Sequence, residues 1–170
     1  MTYEFVPQFC RVLNNLSKIM DKAQKYADQK KFDSTVLLGS RLAPDQFNFT
    51  RQVQIACDSA KYYASRLTQK EAPSFEDKEA TIPELQQRIQ KTIQFLETVK
   101  PEDFKGWETR QTLNPRREGK YLPGFDFAMY QAIPNFYFHV TTAYSILRHN
   151  GVEIGKADYL GELNWRPIGG

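Results

Sequence analysis

The stretch that decides the fold is residues 134–151, PNFYFHVTTAYSILRHNG. Its apolar and aromatic side chains fall on nearly all sides of a helical wheel: Phe136, Tyr137, Phe138, Val140, Ala143, Tyr144, Ile146 and Leu147. A helix that is apolar all round is buried against other elements. Gly151 stands where helices commonly end in the left-handed conformation, and Val152 supplies an apolar contact beyond it. The pattern predicts a buried helix over about residues 134–150.

Three further segments carry an apolar stripe with steps of three and four residues, which is typical of helices in a bundle. The first covers Phe5–Lys30 and the second about residues 47–67. The third begins at a capping box, in which the Thr81 hydroxyl accepts an early helical N–H and Glu84 reaches back. Pro101 stops this helix. The four segments predict an all-α four-helix bundle that forms one domain over residues 1–170.

The connections between these helices carry smaller predictions. Residues 36–38 are apolar and can pack as a short turn. The polar segment of residues 100–126 is long for a loop, and we predict a small hairpin between residues 107–113 and residues 120–122. The tail, residues 152–170, is expected to wrap the surface as loop or short turns.

Composition and charge limit the partners that the chain is expected to bind. A net charge of +3 is small for a nucleic-acid-binding surface, so no nucleic-acid partner is expected. The basic clusters, residues 22–31 and the group Arg116, Arg117 and Lys120, are interpreted as solvated surface. No run of about eighteen apolar residues predicts a membrane span, and the N-terminus lacks a secretory signal pattern. The expected location is the cytoplasm.

Several sequence signatures of enzymes are absent. There is no glycine-rich phosphate loop, no HExxH, no Gly-x-Ser-x-Gly elbow and no paired-cysteine zinc pattern. The two cysteines, Cys10 and Cys57, lie beside apolar stripes and are predicted to be buried free thiols. His139 and His149 are the two histidines of the chain, so a three-histidine metal site cannot form from one copy.

The two histidines have different settings. His149 falls in the last turn of the fourth helix, where an imidazolium complements the helix C-terminus. His139 lies mid-helix among large apolar residues, and Asn135 precedes it by four positions. Both therefore lie on one ridge and can share a ligand, a water or a metal ion. The alternative, which the pattern favours, is a core histidine hydrogen-bonded to a neighbouring helix.

Seven short runs together resemble a known family: RLAPD (41–45), RQVQIA (51–56), PNFYFH (134–139), TTAY (141–144), LRHNGV (147–152), IGK (154–156) and DYLG (158–161). They are similar to the domain-of-unknown-function family 1993, within the DinB-like (YfiT-like) superfamily. The resemblance implies a DinB-like four-helix bundle of up-down-down-up topology, often dimeric. It also implies a divalent metal held by three histidines, one on the second helix and two on the last. Some members of the superfamily are thiol-dependent transferases.

The resemblance can be carried onto this chain residue by residue. Counting back from the Leu-Arg pair at residues 147–148 places His139 and Asn135 at the two histidine positions of the last helix. On the second helix, the third ligand falls near Gln54, with Asp58 one turn on. The implied cofactor is zinc, nickel or iron, for which amide oxygens are weak ligands. Gln54 and Asp58 also lie opposite the apolar stripe of their helix, so that helix is either buried on two faces or leaves both residues in solvent.

Two hypotheses of function follow, from different classes. The first is a bundle with a degenerate metal site that binds a small molecule or a partner. The alternative is a divalent-metal-dependent hydrolase or thiol transferase, in which His139 and Asp58 ligate the metal while Asn135 and Gln54 orient water or substrate. A homodimer with an apolar interface is compatible with either.

Five further residues are candidate pocket liners: Arg41, Asp45, Arg51, Tyr144 and Arg148. Arginine can clamp a carboxylate or a phosphate in a bidentate way. The alternative, which we favour, is that Arg41–Asp45 and Arg148 form salt bridges that tie loops to the bundle.

Overall fold

The computed structural model describes residues 2–114 and 117–168. The helices of that part of the chain are α1 (Phe5–Lys30), α2 (Thr35–Gly39), α3 (Phe49–Thr68), α4 (Ile82–Glu97), α5 (Gly124–Asp126), α6 (Ile133–His149) and α7 (Lys156–Leu160). A 3-10 helix covers Pro101–Phe104, and a π-helical segment, Phe127–Ala132, joins α5 to α6. Two short strands, β1 (Gln111–Leu113) and β2 (Tyr121–Pro123), complete the fold.

Four long helices form the predicted bundle, and hydrogen bonds between them give their directions. The Tyr63 hydroxyl, near the end of α3, donates to the carbonyl oxygen of Thr2, just before α1, over 2.7 Å. These two helices are therefore antiparallel. Lys70, just after α3, donates to the carbonyl oxygen of Thr98, just after α4, over 2.6 Å. Since their ends meet, α3 and α4 run parallel.

The last helix, α6, runs back along α3. Asn135 near its start bonds to Ser59, and His139 one turn later bonds to Gln52, nearer the start of α3. The order along α6 is the reverse of the order along α3, so these two helices are antiparallel. The topology is up-down-down-up, and the DinB-like bundle predicted from the sequence is confirmed.

The core is built on aromatic contacts between three of the helices. The Phe9 ring of α1 lies 4.4 Å from the Phe136 ring of α6 and 5.1 Å from the Tyr63 ring of α3, measured between centroids. All three side chains are fully buried. Aromatic pairs at such distances add about 0.5–1.5 kcal/mol each beyond the area that they bury. The apolar stripes predicted from the sequence therefore face one another in the core of the bundle.

The helix ends follow the sequence signals. The Thr81–Glu84 capping box is formed in both directions at the start of α4. Gly151, after α6, has φ +90°, and a Cβ there would lie 2.6 Å from the Tyr26 hydroxyl oxygen. Val152 beyond it is fully buried. Both conformation and space therefore favour glycine at position 151.

The predicted hairpin is present, with a shorter first strand than expected and the second strand one position later. β1 and β2 pair antiparallel with Thr112 opposite Leu122, and the Thr112 hydroxyl donates to the carbonyl oxygen of Leu122 over 2.9 Å. Pro115 and Arg116, in its turn, lie outside the described residues. The apolar turn predicted at residues 36–38 lies within α2.

The chain becomes helical at Gly124, before the start near residue 134 that the sequence predicted for the last helix, because α5 and the π-helical segment precede α6. A Cβ on Gly124 would lie 1.8 Å from the carbonyl oxygen of Trp107, so no larger residue fits that approach. The tail contains one short helix, α7, which docks on α1 because Arg11 donates to the carbonyl oxygens of Leu160 and Glu162. No helix in the described part of the chain has the length and apolar character needed to cross a membrane.

Candidate functional site

A cleft opens between α3 and the π-helical segment with the first half of α6. Its volume is about 460 Å³. The α3–α6 cleft, as we call it, has apolar walls from Ile55, Tyr62, Phe127 and Ala132 and polar groups from Arg51, Asp58, Ser59, Arg66, Asn135 and His139. Three of the four residues that the resemblance implied as metal ligands therefore line one cavity, while Gln54 does not line it.

A chain of hydrogen bonds fixes the protonation of His139. The side-chain amide of Gln52 donates through Nε2 to the carbonyl oxygen of Phe47 over 3.0 Å. Its Oε1 is thereby turned to His139 Nδ1, 2.6 Å away. Since Oε1 only accepts, Nδ1 carries the proton and donates. The core histidine bonded to a neighbouring helix, which the sequence pattern favoured, is confirmed.

His139 is held neutral as well as oriented. Burial, with a smaller contribution from the Arg51 charge, lowers the pKa of His139 to about 4. A neutral ring with its proton on Nδ1 keeps a lone pair on Nε2. Nε2 bonds to no described residue and is not among the buried atoms that lack a partner, so it is the ring nitrogen that reaches the cleft lined by His139.

Asn135 lies beside His139 on α6 and is exposed at the cleft. Its Nδ2 donates to the Ser59 hydroxyl oxygen over 2.7 Å, and that hydroxyl donates in turn to the carbonyl oxygen of Ile55 over 2.7 Å. Asn135 and His139 both line the cleft.

Asp58 lies at the cleft wall with its charge already paired. Its Oδ1 accepts from the Arg88 guanidinium over 3.1 Å and forms an ion pair with the Lys61 ammonium at 3.0 Å. The side chains of both cations are almost completely buried, at 2% exposed for Arg88 and 3% for Lys61. The charge of the Asp58 carboxylate is therefore already neutralised by these two cations when a ligand approaches.

Gln54 is buried with both ends of its amide engaged. Oε1 accepts from Arg51 over 3.0 Å and Nε2 donates to Glu79 over 2.9 Å. The question that the sequence left open about α3 is settled, because this helix is buried on two faces. The second face packs against residues 69–81, the connection to α4.

The implied ligand set does not fit a divalent ion. Among residues 2–114 and 117–168, no three histidine, cysteine, aspartate or glutamate side chains group as metal ligands. Gln54 has no unengaged donor oxygen, and Asp58 is shared by two cations. A metal at Asp58 would therefore compete with buried positive charges that are already in place. The single imidazole, that of His139, leaves too few nitrogen ligands for zinc, nickel or iron.

The five predicted pocket liners do not come together. Arg51 lines the α3–α6 cleft and pairs with Asp77. Arg41 is exposed and donates to the carbonyl oxygen of Pro44 over 3.3 Å, and no ion pair joins it to Asp45 in the described part of the chain.

The remaining two liners, Tyr144 and Arg148, serve the tail. Tyr144 stacks edge-on against Tyr159 of α7, with ring centroids 5.9 Å apart. Arg148 donates to the carbonyl oxygen of Val152 over 3.5 Å. Arg148 contacts the segment after α6, as the favoured alternative expected, but its acceptor is a backbone carbonyl. Arg41 bonds within its own loop, so it does not tie that loop to the bundle.

Sequence reasoning missed Arg66. Its guanidinium carbon lies 5.1 Å from the Tyr62 ring centroid and 5.2 Å from that of Phe127. The Tyr62–Arg66 spacing of four residues on a helix was a readable sign of contact. The packing of Phe127 on the other side was not, because it depends on the π-helical segment. Burial lowers the pKa of Arg66.

The two thiols are unsuited to thiolate chemistry. Cys57 is buried, as predicted, whereas Cys10 is half-buried. Burial raises the pKa of Cys57 to about 12 and that of Cys10 to about 11. Because the thiolate is the nucleophile, neither cysteine is positioned to attack a substrate at neutral pH.

Comparison with known proteins places the fold in a family. The family described as domain of unknown function (DUF1993) matches residues 1–160. A crystal structure of a DinB family member from Shewanella denitrificans is 54% identical, with a TM-score of 0.92 over 95% of this chain and 92% of that chain. No curated protein matches the chain. The chain therefore belongs to the DUF1993 family and has the fold of a DinB family protein.

Proposed function

We propose that this protein binds a small molecule in the α3–α6 cleft. The single observation that supports the proposal most is the fixed, neutral His139 at the cleft wall. Its Nδ1 is committed to Gln52 inside the protein, and its Nε2 is left as an acceptor. A hydrogen-bond group that is oriented before a ligand arrives lowers the cost of binding.

The size and lining of the cleft are consistent with this role. Ligand pockets commonly measure about 300–1,000 Å³ and combine apolar walls with a few placed polar groups. The α3–α6 cleft, at about 460 Å³, has aromatic side chains on both sides from Tyr62 and Phe127. Apart from Asn114, its polar groups come from helices rather than loops, which holds their geometry.

Binding without a metal also accounts for the state of the implied ligands. The carboxylate of Asp58 and the amide of Gln54 are used within the protein. The metal-dependent hydrolase or transferase stays a prediction, as do a homodimer and a cytoplasmic location. Elemental analysis of the tag-free protein addresses the first: stoichiometric zinc, nickel or iron that disappears in His139→Ala would favour it.

The proposal is tested by filling the cleft. Gln131 is half-buried on the π-helical segment and lines the cleft, so Gln131→Trp places an indole in the cavity. Gln90→Trp, on the exposed face of α4, is the matched control. Fragments found by ligand-observed NMR against the wild type would then be titrated into both variants.

We expect at least one fragment whose Kd rises tenfold or more in Gln131→Trp and stays unchanged in Gln90→Trp. Failure of every fragment to bind the wild type would overturn the proposal. Equal affinity for the wild type and Gln131→Trp would overturn it as well, since binding would then lie elsewhere.

A further inference from the structure

The starting point is a half-buried positive charge without a counter-ion. Arg66 lies between the rings of Tyr62 and Phe127. Within residues 2–114 and 117–168, its guanidinium has no ion pair and donates no hydrogen bond. Its five N–H donors are not among the buried atoms that lack a partner, so they reach solvent and stay uncommitted to any acceptor of the described chain. An arginine in this state is suited to receive an acceptor from outside the chain.

A second cavity meets the first at this arginine. It lies under the β1–β2 hairpin, measures about 450 Å³, and shares Arg66, Asn114, Phe127 and Gln131 with the α3–α6 cleft. Its lining adds Arg117 and Lys120. These two side chains are exposed, as the sequence predicted, but they also border a cavity.

The electrostatic potential is positive where the two cavities meet at Arg66. No aspartate or glutamate is among the described residues that line the sub-hairpin cavity. In the α3–α6 cleft the described lining contains one carboxylate, that of Asp58, which Lys61 and Arg88 already neutralise. Cavities lined by charges of one sign concentrate ligands of the opposite sign.

We propose that the ligand of the α3–α6 cleft is an oxyanion, a carboxylate or a phosphate carried on an apolar body, with its charged group on Arg66. This inference rests on the proposed function. The guanidinium fork matches two oxygens of either group. The rings that flank Arg66 and the side chains of Ile55 and Ala132 supply apolar contact for the body.

The length of the cleft also bears on the ligand. Gln52, which holds His139, and Arg66 are fourteen positions apart on α3, which corresponds to roughly 20 Å along a helix. A ligand that contacts both Arg66 and His139 would therefore extend along the cleft. The hairpin residues Arg117 and Lys120 draw the anion toward the cavity without desolvating it.

The test uses three probes with one aromatic body: 1-naphthoate, 1-naphthyl phosphate and the neutral 1-naphthalenemethanol. Each is titrated calorimetrically into the full chain at low and at physiological salt. We expect the two anions to bind at least tenfold more tightly than the alcohol, and their affinity to fall with salt. The ratio between the two anions distinguishes a carboxylate from a phosphate head group.

Variants assign the effect to the arginine. Arg66→Gln should weaken both anions tenfold or more and leave the alcohol unchanged. Arg41→Gln, at an exposed arginine outside the cleft, is the matched control and should change nothing. The double variant Arg117→Gln/Lys120→Gln lies on the exposed hairpin, where folding is not at risk, and should weaken the anions two- to fivefold.

Each outcome separates this inference from the proposed function. If the alcohol and the anions bind equally, and Gln131→Trp abolishes all three, the cleft binds small molecules but the oxyanion inference is wrong. Anion binding that survives Arg66→Gln would overturn the inference in the same way. If no probe binds the wild type, the oxyanion inference fails, and the fragment titrations decide the proposed function independently.

Discussion

Arg88 of α4 and Arg66 of α3 differ in their partners. Each guanidinium packs on an aromatic ring, with centroid distances of 5.2 Å to Phe75 for Arg88 and 5.2 Å to Phe127 for Arg66. Arg88 has carboxylate partners within 3.1 Å, whereas Arg66 has none in the described part of the chain. An arginine that packs on an aromatic ring is therefore structural where the protein supplies its acceptors, as for Arg88. It is available for a ligand where the protein supplies none, as for Arg66.

Arg88 holds the connection between α3 and α4 in place. Arg88 pairs with Asp58 of α3 at 3.1 Å and with Asp77 and Glu79 of the connection at 3.0 Å each. Burial alone would lower the pKa of Arg88, but the hydrogen bond to Glu79 and the charges of Asp58 and Glu79 raise it. The connection contains no helix or strand, so these ion pairs, together with the contacts Arg51–Asp77 and Gln54–Glu79, fix its path over the bundle.

The largest effect is expected from Arg88→Met. Removing one member of a buried ion network costs about 3–5 kcal/mol, because the partners remain buried without it. Asp58 and Asp77 retain Lys61 and Arg51 as other partners, which places the expected loss near the lower end, at about 3 kcal/mol. Urea unfolding followed by circular dichroism measures it.

The control for Arg88→Met is Lys91→Met, at an exposed position three residues further along α4. We expect a change below about 0.5 kcal/mol for this surface substitution. Limited proteolysis should cut the connection of residues 69–81 faster in Arg88→Met than in Lys91→Met. Equal stability of the two variants would mean that the ion network adds nothing to the free energy of unfolding. Arg88 would then not be structural, and its contrast with Arg66 would fail.

An effect of intermediate size is expected at His139, on the cleft side. Its pKa is about 4 when folded, against 6.5 as the ordinary value. The folded state therefore resists protonation that the unfolded chain accepts, and stability is lost as the pH falls from about 6.5 toward 4. At pH 5 the loss from this group amounts to about 2 kcal/mol relative to pH 7.5.

The measurement compares urea unfolding at pH 7.5 and pH 5.0 in the wild type and in His139→Gln. The stability difference between the two pH values should be about 2 kcal/mol smaller in the variant, since glutamine does not titrate. His149→Gln is the matched control, because it removes the other histidine. An identical pH dependence in the wild type and His139→Gln would show that His139 is not held neutral, and would remove the main support for the proposed function.

The fold was predictable because its signals are local. Helical stripes, the Thr81–Glu84 capping box and the glycine at position 151 each depend on residues within one or two turns of one another. The π-helical segment before α6 was not predicted, because its course depends on packing rather than on a repeat. The contact of Gly124 with the Trp107 backbone, seventeen residues away in sequence, shows this dependence.

The site was predictable only in part, for the same physical reason. His139 was correctly read as a core histidine, yet its partner Gln52 is 87 positions away, and no local pattern names it. The resemblance placed Asp58 and Gln54 near a metal. In the structure Asp58 instead accepts a hydrogen bond from Arg88, which is thirty positions further along the chain. Arg66 escaped notice because its significance is the absence of a carboxylate nearby, which a linear sequence does not display.

The smallest effect on stability is expected from Arg66→Met, which matches the substitution Arg88→Met. No ion pair is lost. The substitution also removes a charge that burial disfavours, as the lowered pKa of Arg66 shows. The two cation–π contacts, worth about 0.5–1 kcal/mol each at exposed sites, are replaced by contacts of the methionine thioether with the same rings. We therefore expect a change in unfolding free energy within about 1 kcal/mol of zero, measured by urea unfolding beside Arg88→Met. A loss equal to that of Arg88→Met would mean that Arg66 holds the fold together, and its missing counter-ion could then no longer be taken as the mark of a ligand.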